Sequence, residues 1–293
     1  MSPIKLWATA VRPRTLPAAI APVLVGTSLA ITSDQFRALP FVAALVVSLF
    51  MQIGTNLAND YSDARRGADT EDRLGPVRVT AGGLVPPRQV LVATAVTFGL
   101  AVLCGIYLIA IAGWELLAVG AASILAGILY TGGPKPYGYE GLGEVFVFLF
   151  FGIVAVTGSY FVQAQALPWE AFALSVPVGL LASAILVVNN VRDLETDRRA
   201  GKRTLAVRLG RERTRMLYAV MIYLAFVTTP ITWVFGPFGP ALLLPWLALP
   251  LALPLVRTVR NRTDGQALNG ALAGTGQLQL AFCVLLSGGL LLS

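Results

Sequence analysis

The sequence predicts an all-α polytopic membrane protein, with nine transmembrane helices in a bundle around a central cavity. Three observations carry that expectation: 56% of the 293 residues are hydrophobic, only 13% are charged, and long uncharged stretches separate the charges. A soluble domain ordinarily carries about 25% charged residues, so a water-soluble globular enzyme is excluded.

The spans follow in chain order. Residues 15–33, 38–59, 89–114, 116–134, 145–169 and 171–191 contain no Asp, Glu, Lys or Arg, and each has at least 19 residues. A helix of roughly 20 apolar residues crosses about 30 Å of hydrocarbon. The uncharged stretch 216–256 carries Gly236, Pro237, Gly239 and Pro240 near its middle, which divides it into two helices joined by a tight turn. Residues 265–293 supply the ninth. The first stretch follows Arg12 and Arg14 as a signal peptide would, yet no small-residue cleavage site follows, so it reads as a retained helix. Residues 1–293 are expected to form a single integral-membrane domain.

Basic residues orient the bundle. With the N-terminus in the cytoplasm and alternating sides, 21 of the 22 Lys and Arg fall inside and only Arg37 outside. The positive-inside rule therefore places the N-terminus in the cytoplasm and, after nine spans, the C-terminus outside. The net charge of +7 then reflects topology and attraction to anionic lipid and phosphate, and nucleic-acid binding is not needed. The chain has no histidine, which removes His-based acid/base pairs, catalytic triads and zinc sites. Cys104 and Cys283 lie in apolar stretches without metal-ligand spacing and read as buried small residues.

The long charged loops, at roughly 59–88 and 190–215, both lie on the cytoplasmic side, so chemistry is expected on that face. The first reads N-L-A-N-D-Y-S-D-A-R-R-G-A-D-T-E-D-R and places Asn56, Asn59, Asp60, Asp63, Asp69 and Asp72 where the second span leaves the membrane. The second reads N-N-V-R-D-L-E-T-D-R-R-A-G-K-R-T and places Asn189, Asn190, Asp193 and Asp197 at the same depth on the sixth. Both contain Asn-x-x-x-Asp, Asn56 with Asp60 and Asn189 with Asp193, whose side chains share one helical face. The equivalence suggests two related helix groups, about 1–130 and 131–293, facing each other across one cavity.

Carboxylates gathered at a membrane boundary repel one another unless a positive charge lies between them. Mg²⁺ is usually held by one or two carboxylates together with substrate phosphates. Arg65, Arg66, Arg73, Arg78, Arg192, Lys202 and Arg203 can take the remaining phosphate oxygens, so the clusters read as a site for a Mg²⁺-diphosphate. The bland alternative, a solvated ion-pair face, loses ground because both clusters begin while the sequence is still apolar. Asp60, Asp63, Asp193 and Asp197 are the firmer choices.

A third segment, L-Y-T-G-G-P-K-P-Y-G-Y-E-G-L-G-E, is an irregular turn holding Lys135 among Tyr130, Tyr137 and Tyr139. Either its tyrosines belong to the interfacial aromatic belt, or Lys135 and a tyrosine enter the cavity to contact diphosphate or an aromatic acid. The phosphate-binding P-loop pattern is absent. Arg12 and Arg14 read by default as snorkelling arginines, and Asn269, Gln277 and Gln279 as interhelical hydrogen-bonding groups.

With these motifs assembled, the chain resembles the intramembrane aromatic prenyltransferases of the UbiA superfamily and, within it, the MenA type, the 1,4-dihydroxy-2-naphthoate polyprenyltransferases. The similarity runs from R-P-R-T-L-P through N-D-Y-S-D-A-R-R-G-A-D-T-E-D-R-L-G-P-V-R and Y-T-G-G-P-K-P-Y-G-Y to N-N-V-R-D-L-E-T-D-R-R-A-G-K-R-T-L-A-V-R-L-G. The first motif maps onto Asn56, Asp60 and Asp63, and the second onto Asn190, Asp193 and Asp197. The superfamily often writes its first motif N-D-x-x-D-x-x-x-D; here the last position is Gly67, followed by Asp69 and Asp72 as in the MenA type. Asp63, Asp69 and Asp72 remain alternatives as metal ligands.

The resemblance implies a bacterial plasma-membrane enzyme with a cytoplasmic active site and no obligate protein partner. Its substrates would be a polyprenyl diphosphate and 1,4-dihydroxy-2-naphthoate, with Mg²⁺ as cofactor. It implies that Asp60 and Asp63 on one side and Asp193 and Asp197 on the other hold Mg²⁺ across the diphosphate. The allylic C–O bond then ionises, and the ring carbon bearing the carboxylate is prenylated with loss of CO₂, giving demethylmenaquinol. Lys135, Tyr137 and Arg192 are candidates for positioning the acceptor. Other aromatic acceptors such as 4-hydroxybenzoate, and a secondary transporter, are the alternatives; a transporter would place its polar groups near the bilayer midplane.

Overall fold

The structure, a computed structural model, describes residues 2–68 and 74–293 and contains no strand among them. The Ser2 side chain accepts the Lys5 N–H at 3.4 Å and caps helix α1 (Pro3–Val11). Arg12, at φ 57°, ends it, and a 3₁₀ turn over Pro13–Thr15 leads into α2 (Pro17–Thr32). Residues Ile4–Thr15 and Pro17–Thr32 meet at 49°, a break that follows from the prolines, which cannot donate to a helical ladder. Helices α3 (Ala38–Arg65), α4 (Pro87–Ala112) and α5 (Glu115–Leu129) follow. Then α6 (Gly143–Val147) continues through a π-helical segment, Phe148–Val154, into α7 (Ala155–Ala164) as one span. The second half contains α8 (Trp169–Arg199), the short α9 (Leu205–Leu209), α10 (Arg211–Phe235), a 3₁₀ run Pro240–Ala248 that enters α11 (Leu249–Asn261), and α12 (Gly265–Leu291).

All nine expected stretches are helical, but their lengths differ from the expectation. Among the described residues, seven spans are long and apolar enough to cross a membrane alone, and the bent pair through α2 makes eight. The remaining stretch, the fourth in chain order and expected over 116–134, is the 15-residue α5, about 22 Å long. Gly113, at φ 129°, separates it from α4, and the Gly132-Gly133 turn shortens its other end, with Gly133 at φ 74°. An integral membrane protein is the result: exposed Val92 and Leu103 on α4, Leu117 on α5, and Val220 and Val234 on α10 face outward where a soluble protein would carry charge.

The 31-residue α8 is the axis of the bundle, with 72% of its apolar window buried against 17% for α3. Its Val178, Leu181, Val187 and Val191 join Val25 of α2, Tyr218 and Ile222 of α10 and Phe282 of α12 in one core. Small residues let the backbones touch: a Cβ on Gly152 would stand 2.5 Å from the Gly179 Cα, and one on Gly26 would stand 2.3 Å from the Val156 carbonyl oxygen. In this packing the charged C-terminal ends of α3 and α8 emerge at the same end of the bundle.

Candidate active site

Helices α3 and α8 end in the same way, and the ending positions the site. On α3, Gly67 lies at φ 63°, the Ala68 N–H donates to the Asp63 carbonyl at 3.0 Å, and the Gly67 N–H donates to Ala64 at 3.1 Å. On α8, Gly201 lies at φ 74°, the Lys202 N–H donates to the Asp197 carbonyl at 2.9 Å, and the Gly201 N–H donates to Arg198 at 3.2 Å. Both are Schellman endings, which need a residue at positive φ and favour glycine. Asp63 and Asp197 thus occupy equivalent places in the last helical turn, and the second turn folds Lys202 back over its own helix end. Gly67, where the acidic motif departs from the superfamily pattern, is the glycine that this ending requires.

The two carboxylates meet at one cation. Lys202 Nζ lies 3.4 Å from Asp63 Oδ1, 3.9 Å from Asp197 Oδ1 and 4.8 Å from the centre of the Tyr139 ring. Asp63 gathers further donors: the Tyr139 hydroxyl at 2.7 Å on Oδ1 and Arg78 at 3.3 Å on Oδ2. Asp63, Asp197 and Lys202 are all buried, and such a cluster persists only when its charges are paired and hydrogen-bonded. Residues 63, 78, 139, 197 and 202, scattered through the sequence, therefore form one charged wall.

Asp193 is held differently. The Arg192 guanidinium grips its carboxylate through Nε at 2.7 Å and through a second, shorter contact, while also donating to Asn189 Oδ1 at 2.8 Å and Asn269 Oδ1 at 2.7 Å. The i, i+4 pair Asn189 and Asp193 is thus joined by the arginine between them. Asn190 donates to Glu144 Oε1 at 2.8 Å.

In the first motif, Asp60 turns to the loop. Its Oδ2 accepts the Val79 N–H at 3.1 Å and its Oδ1 the Thr80 N–H at 2.9 Å, and it does not line the cavity. Asn56 donates to the Val11 carbonyl at 2.9 Å and the Thr15 hydroxyl at 3.0 Å, tying α3 to the broken first span. Asn59 accepts from the Thr131 hydroxyl at 2.9 Å.

A cavity of about 570 Å³ runs from this wall into the bundle. Asn56, Asn59, Asp63, Arg78, Tyr130, Tyr137, Tyr139, Asn189, Asn190, Asp193, Asp197 and Lys202 line its polar end. Its far end is apolar, with Leu108, Leu116, Val119, Phe150, Val154 and Val162. Along α3 the lining extends from Ala44 to Asp63, about 28 Å at helical rise and close to the full hydrocarbon thickness. The three tyrosines form the junction: the Tyr137 ring stacks on Phe146 at 3.9 Å between centroids, and its hydroxyl donates to the Ala126 carbonyl at 2.8 Å. Burial pushes the Tyr137 phenol above its ordinary range, so it stays neutral.

Besides Asp60, the expected residues Arg192, Lys135 and Arg65 do not line this cavity; Arg192 is buried, with its guanidinium committed to Asp193, Asn189 and Asn269. Lys135 is exposed on the Gly-Gly-Pro turn and does not line it, because that turn carries the chain outward before Tyr137 returns. Arg65, exposed on the opposite side of the α3 end, hydrogen-bonds Tyr61 at 3.1 Å. Asp69, Asp72 and Arg73 lie outside the described residues. Conversely, Gln52, which lines the cavity, and Glu144, behind Asn190, were not singled out from the sequence. Each is a lone polar residue in an apolar run, and that is the only signal it carries.

The donor set suits a divalent cation. No group of three acidic side chains comes together among the described residues. Asp63 and Asp197 nevertheless already share one cationic centre, and Mg²⁺ ordinarily completes such a pair with phosphate oxygens and water.

Comparison with known proteins agrees with this geometry. The profile described as "UbiA prenyltransferase family" matches residues 19–285. The chain is 43% identical to the 1,4-dihydroxy-2-naphthoate octaprenyltransferase of Mycobacterium tuberculosis, covering 99% of this chain and 98% of that protein. It is 38% identical to the enzyme of the same name from Escherichia coli, over 94% of this chain and 91% of the other. A UbiA homolog from Aeropyrum pernix K1 shares the fold at TM-score 0.70 and 15% identity, covering 96% of this chain and 98% of that one. A UbiA homolog from Archaeoglobus fulgidus, solved bound to DMAPP and Mg²⁺, does so at TM-score 0.66 and 13% identity, over 96% and 99%. A family match across most of the chain, coinciding with paired acidic helix ends over one cavity, leads to one conclusion: the chain belongs to the UbiA prenyltransferase family.

Proposed function

We infer that the chain transfers a polyprenyl group from polyprenyl diphosphate to 1,4-dihydroxy-2-naphthoate, releasing diphosphate and CO₂ and giving demethylmenaquinol. One observation carries the reading: a charged wall of Asp63, Asp197, Lys202 and Arg78 closes a long cavity whose other end is apolar. That shape fits a donor with an anionic head and a hydrocarbon tail, and the curated relatives named for this reaction support the acceptor.

Asp63 and Asp197, with Asp193 beside them, would hold Mg²⁺; Asp60 supports them through the 79–80 backbone. When bound, Mg²⁺ supplies Lewis-acid neutralisation of the charge that develops on the departing diphosphate. Lys202 and Arg78 donate to its outer oxygens, so the electron pair of the allylic C–O bond leaves with the diphosphate. Tyr130, Tyr137 and Tyr139 wall the space between head and tail, excluding water and presenting neutral ring faces to the allylic cation. The acceptor's ring electrons form the new C–C bond, and the bond to its carboxyl carbon returns a pair to the ring as CO₂ leaves. No protein base is required, in keeping with a chain that has no histidine.

We read the protein as one domain of two related halves in the plasma membrane, with the N-terminus and the charged wall on the cytoplasmic side. Purified protein with Mg²⁺ and a polyprenyl diphosphate should release CO₂ from carboxyl-labelled 1,4-dihydroxy-2-naphthoate. Prenylation of 4-hydroxybenzoate instead, without CO₂ from the naphthoate, would overturn the acceptor assignment.

A further inference from the structure

Asp63 and Asp197 are presented to each other by two equivalent helix endings, and what stands between them is an ammonium of the chain itself. Lys202 is 8% exposed, is anchored by its backbone N–H to Asp197 and reaches both carboxylates. We propose that Lys202 is a built-in counter-ion, whose ammonium occupies the cation position between Asp63 and Asp197 and must be displaced onto the diphosphate before a metal can enter. The inference rests on the metal reading of these two residues given above.

The physical argument is one of mutual exclusion. A divalent ion bound to Asp63 Oδ1 at oxygen-ligand distance, about 2.0–2.1 Å, would stand within about 5.5 Å of an ammonium 3.4 Å from the same oxygen. Two cations so close in a buried site repel strongly. Lys202 has a reason to leave only when an anion accompanies the metal. Its Schellman turn fixes the backbone, but the four-carbon stem is free to swing Nζ toward the cavity that Lys202 lines. The Tyr139 hydroxyl and Arg78, already on Asp63, keep its carboxylate oriented during the exchange. Metal and diphosphate are therefore coupled, each favouring the other by the same factor. Metal alone binds weakly, and the complex of the two binds well.

The test uses the full chain in detergent micelles and needs no turnover. Mn²⁺ is titrated alone, followed by electron paramagnetic resonance, and separately as preformed Mn²⁺-diphosphate, against wild type, Lys202→Met and Lys202→Arg. Wild type and Lys202→Arg should bind the complex at least about tenfold more tightly than Mn²⁺ alone. In Lys202→Met the affinity for Mn²⁺ alone should rise about tenfold or more, and its melting temperature, lowered in chelator, should be restored by Mn²⁺. Equal or weaker binding of Mn²⁺ alone in folded Lys202→Met would overturn the proposal. Should that variant not fold, the wild type decides: equal affinity for Mn²⁺ alone and for the complex overturns it just as well. A chain that binds Mn²⁺ in neither form would instead remove the metal reading on which the inference stands.

Discussion

Asp60 and Thr80 are tied across 20 residues, the aspartate Oδ1 accepting the Thr80 N–H at 2.9 Å while Oδ2 accepts that of Val79 at 3.1 Å. The carboxylate that the motif marks first is thus a brace for the loop that brings Arg78 to Asp63. Asp60→Asn keeps one acceptor oxygen and loses a charge-assisted bond, a cost of about 1.5–3 kcal/mol. The expected result is a lowered melting temperature with little change in the affinity for Mn²⁺-diphosphate. Asp63→Asn, which takes a charged partner from Arg78 and Lys202, should also lower the melting temperature but in addition weaken Mn²⁺-diphosphate binding and reduce diphosphate release at least about 100-fold. Equal effects of both variants on metal affinity would refute this division of labour.

Arg192 is 3% exposed and satisfies Asp193, Asn189 and Asn269 together. Lysine offers a point charge and cannot reproduce that fork. Arg192→Lys should weaken the apparent Mg²⁺ affinity or turnover about 10- to 100-fold, as the loss of a ligand-orienting residue does. Steady-state rates across a Mg²⁺ titration would show it, and unchanged kinetics would demote Arg192 to a packing role.

In the proposed reaction the apolar arm of the cavity would receive the prenyl tail. Gly158 lines the cavity, and a Cβ placed on it meets nothing within 4 Å. Gly158→Leu should obstruct the arm and lower kcat/KM for long polyprenyl diphosphates relative to geranyl diphosphate by about 10-fold or more. A parallel loss for both donors would show that the tail lies elsewhere.

Tyr137 gives the fold a pH dependence of known sign. Its phenol is raised in the folded protein by burial, whereas an unfolded tyrosine titrates near about 10. The native state therefore binds more protons above that pH. The stabilisation is complete below about 10 and declines as pH rises toward the folded value. Thermal melts of wild type and Tyr137→Phe from neutral to strongly alkaline pH should show a shallower alkaline decline in the variant. Identical slopes would place the titrating group elsewhere.

How far the sequence reaches is clearest in the paired helix ends. Charge spacing alone outlines the spans, because each must carry enough apolar side chains to cross hydrocarbon, and the acidic motifs mark the ends of α3 and α8. The length of α5 escapes such reading, since an uncharged stretch does not say where a Gly-Gly turn stops the helix. Arg65, Asp60 and Lys135 look equivalent to Arg78, Asp63 and Lys202 in composition.

The sequence by itself determined a helical membrane protein with two acid-rich motifs and the chemistry those acids favour, because both follow from local composition and period. Only the tertiary structure decided which acids face one another. That choice depends on where Gly67 and Gly201 turn the chain and on how closely Gly152 and Gly179 let α8 pack, relations among residues far apart in sequence. Asp63 and Asp197 share Lys202 for that reason, while Asp60 is committed to the backbone of its own loop.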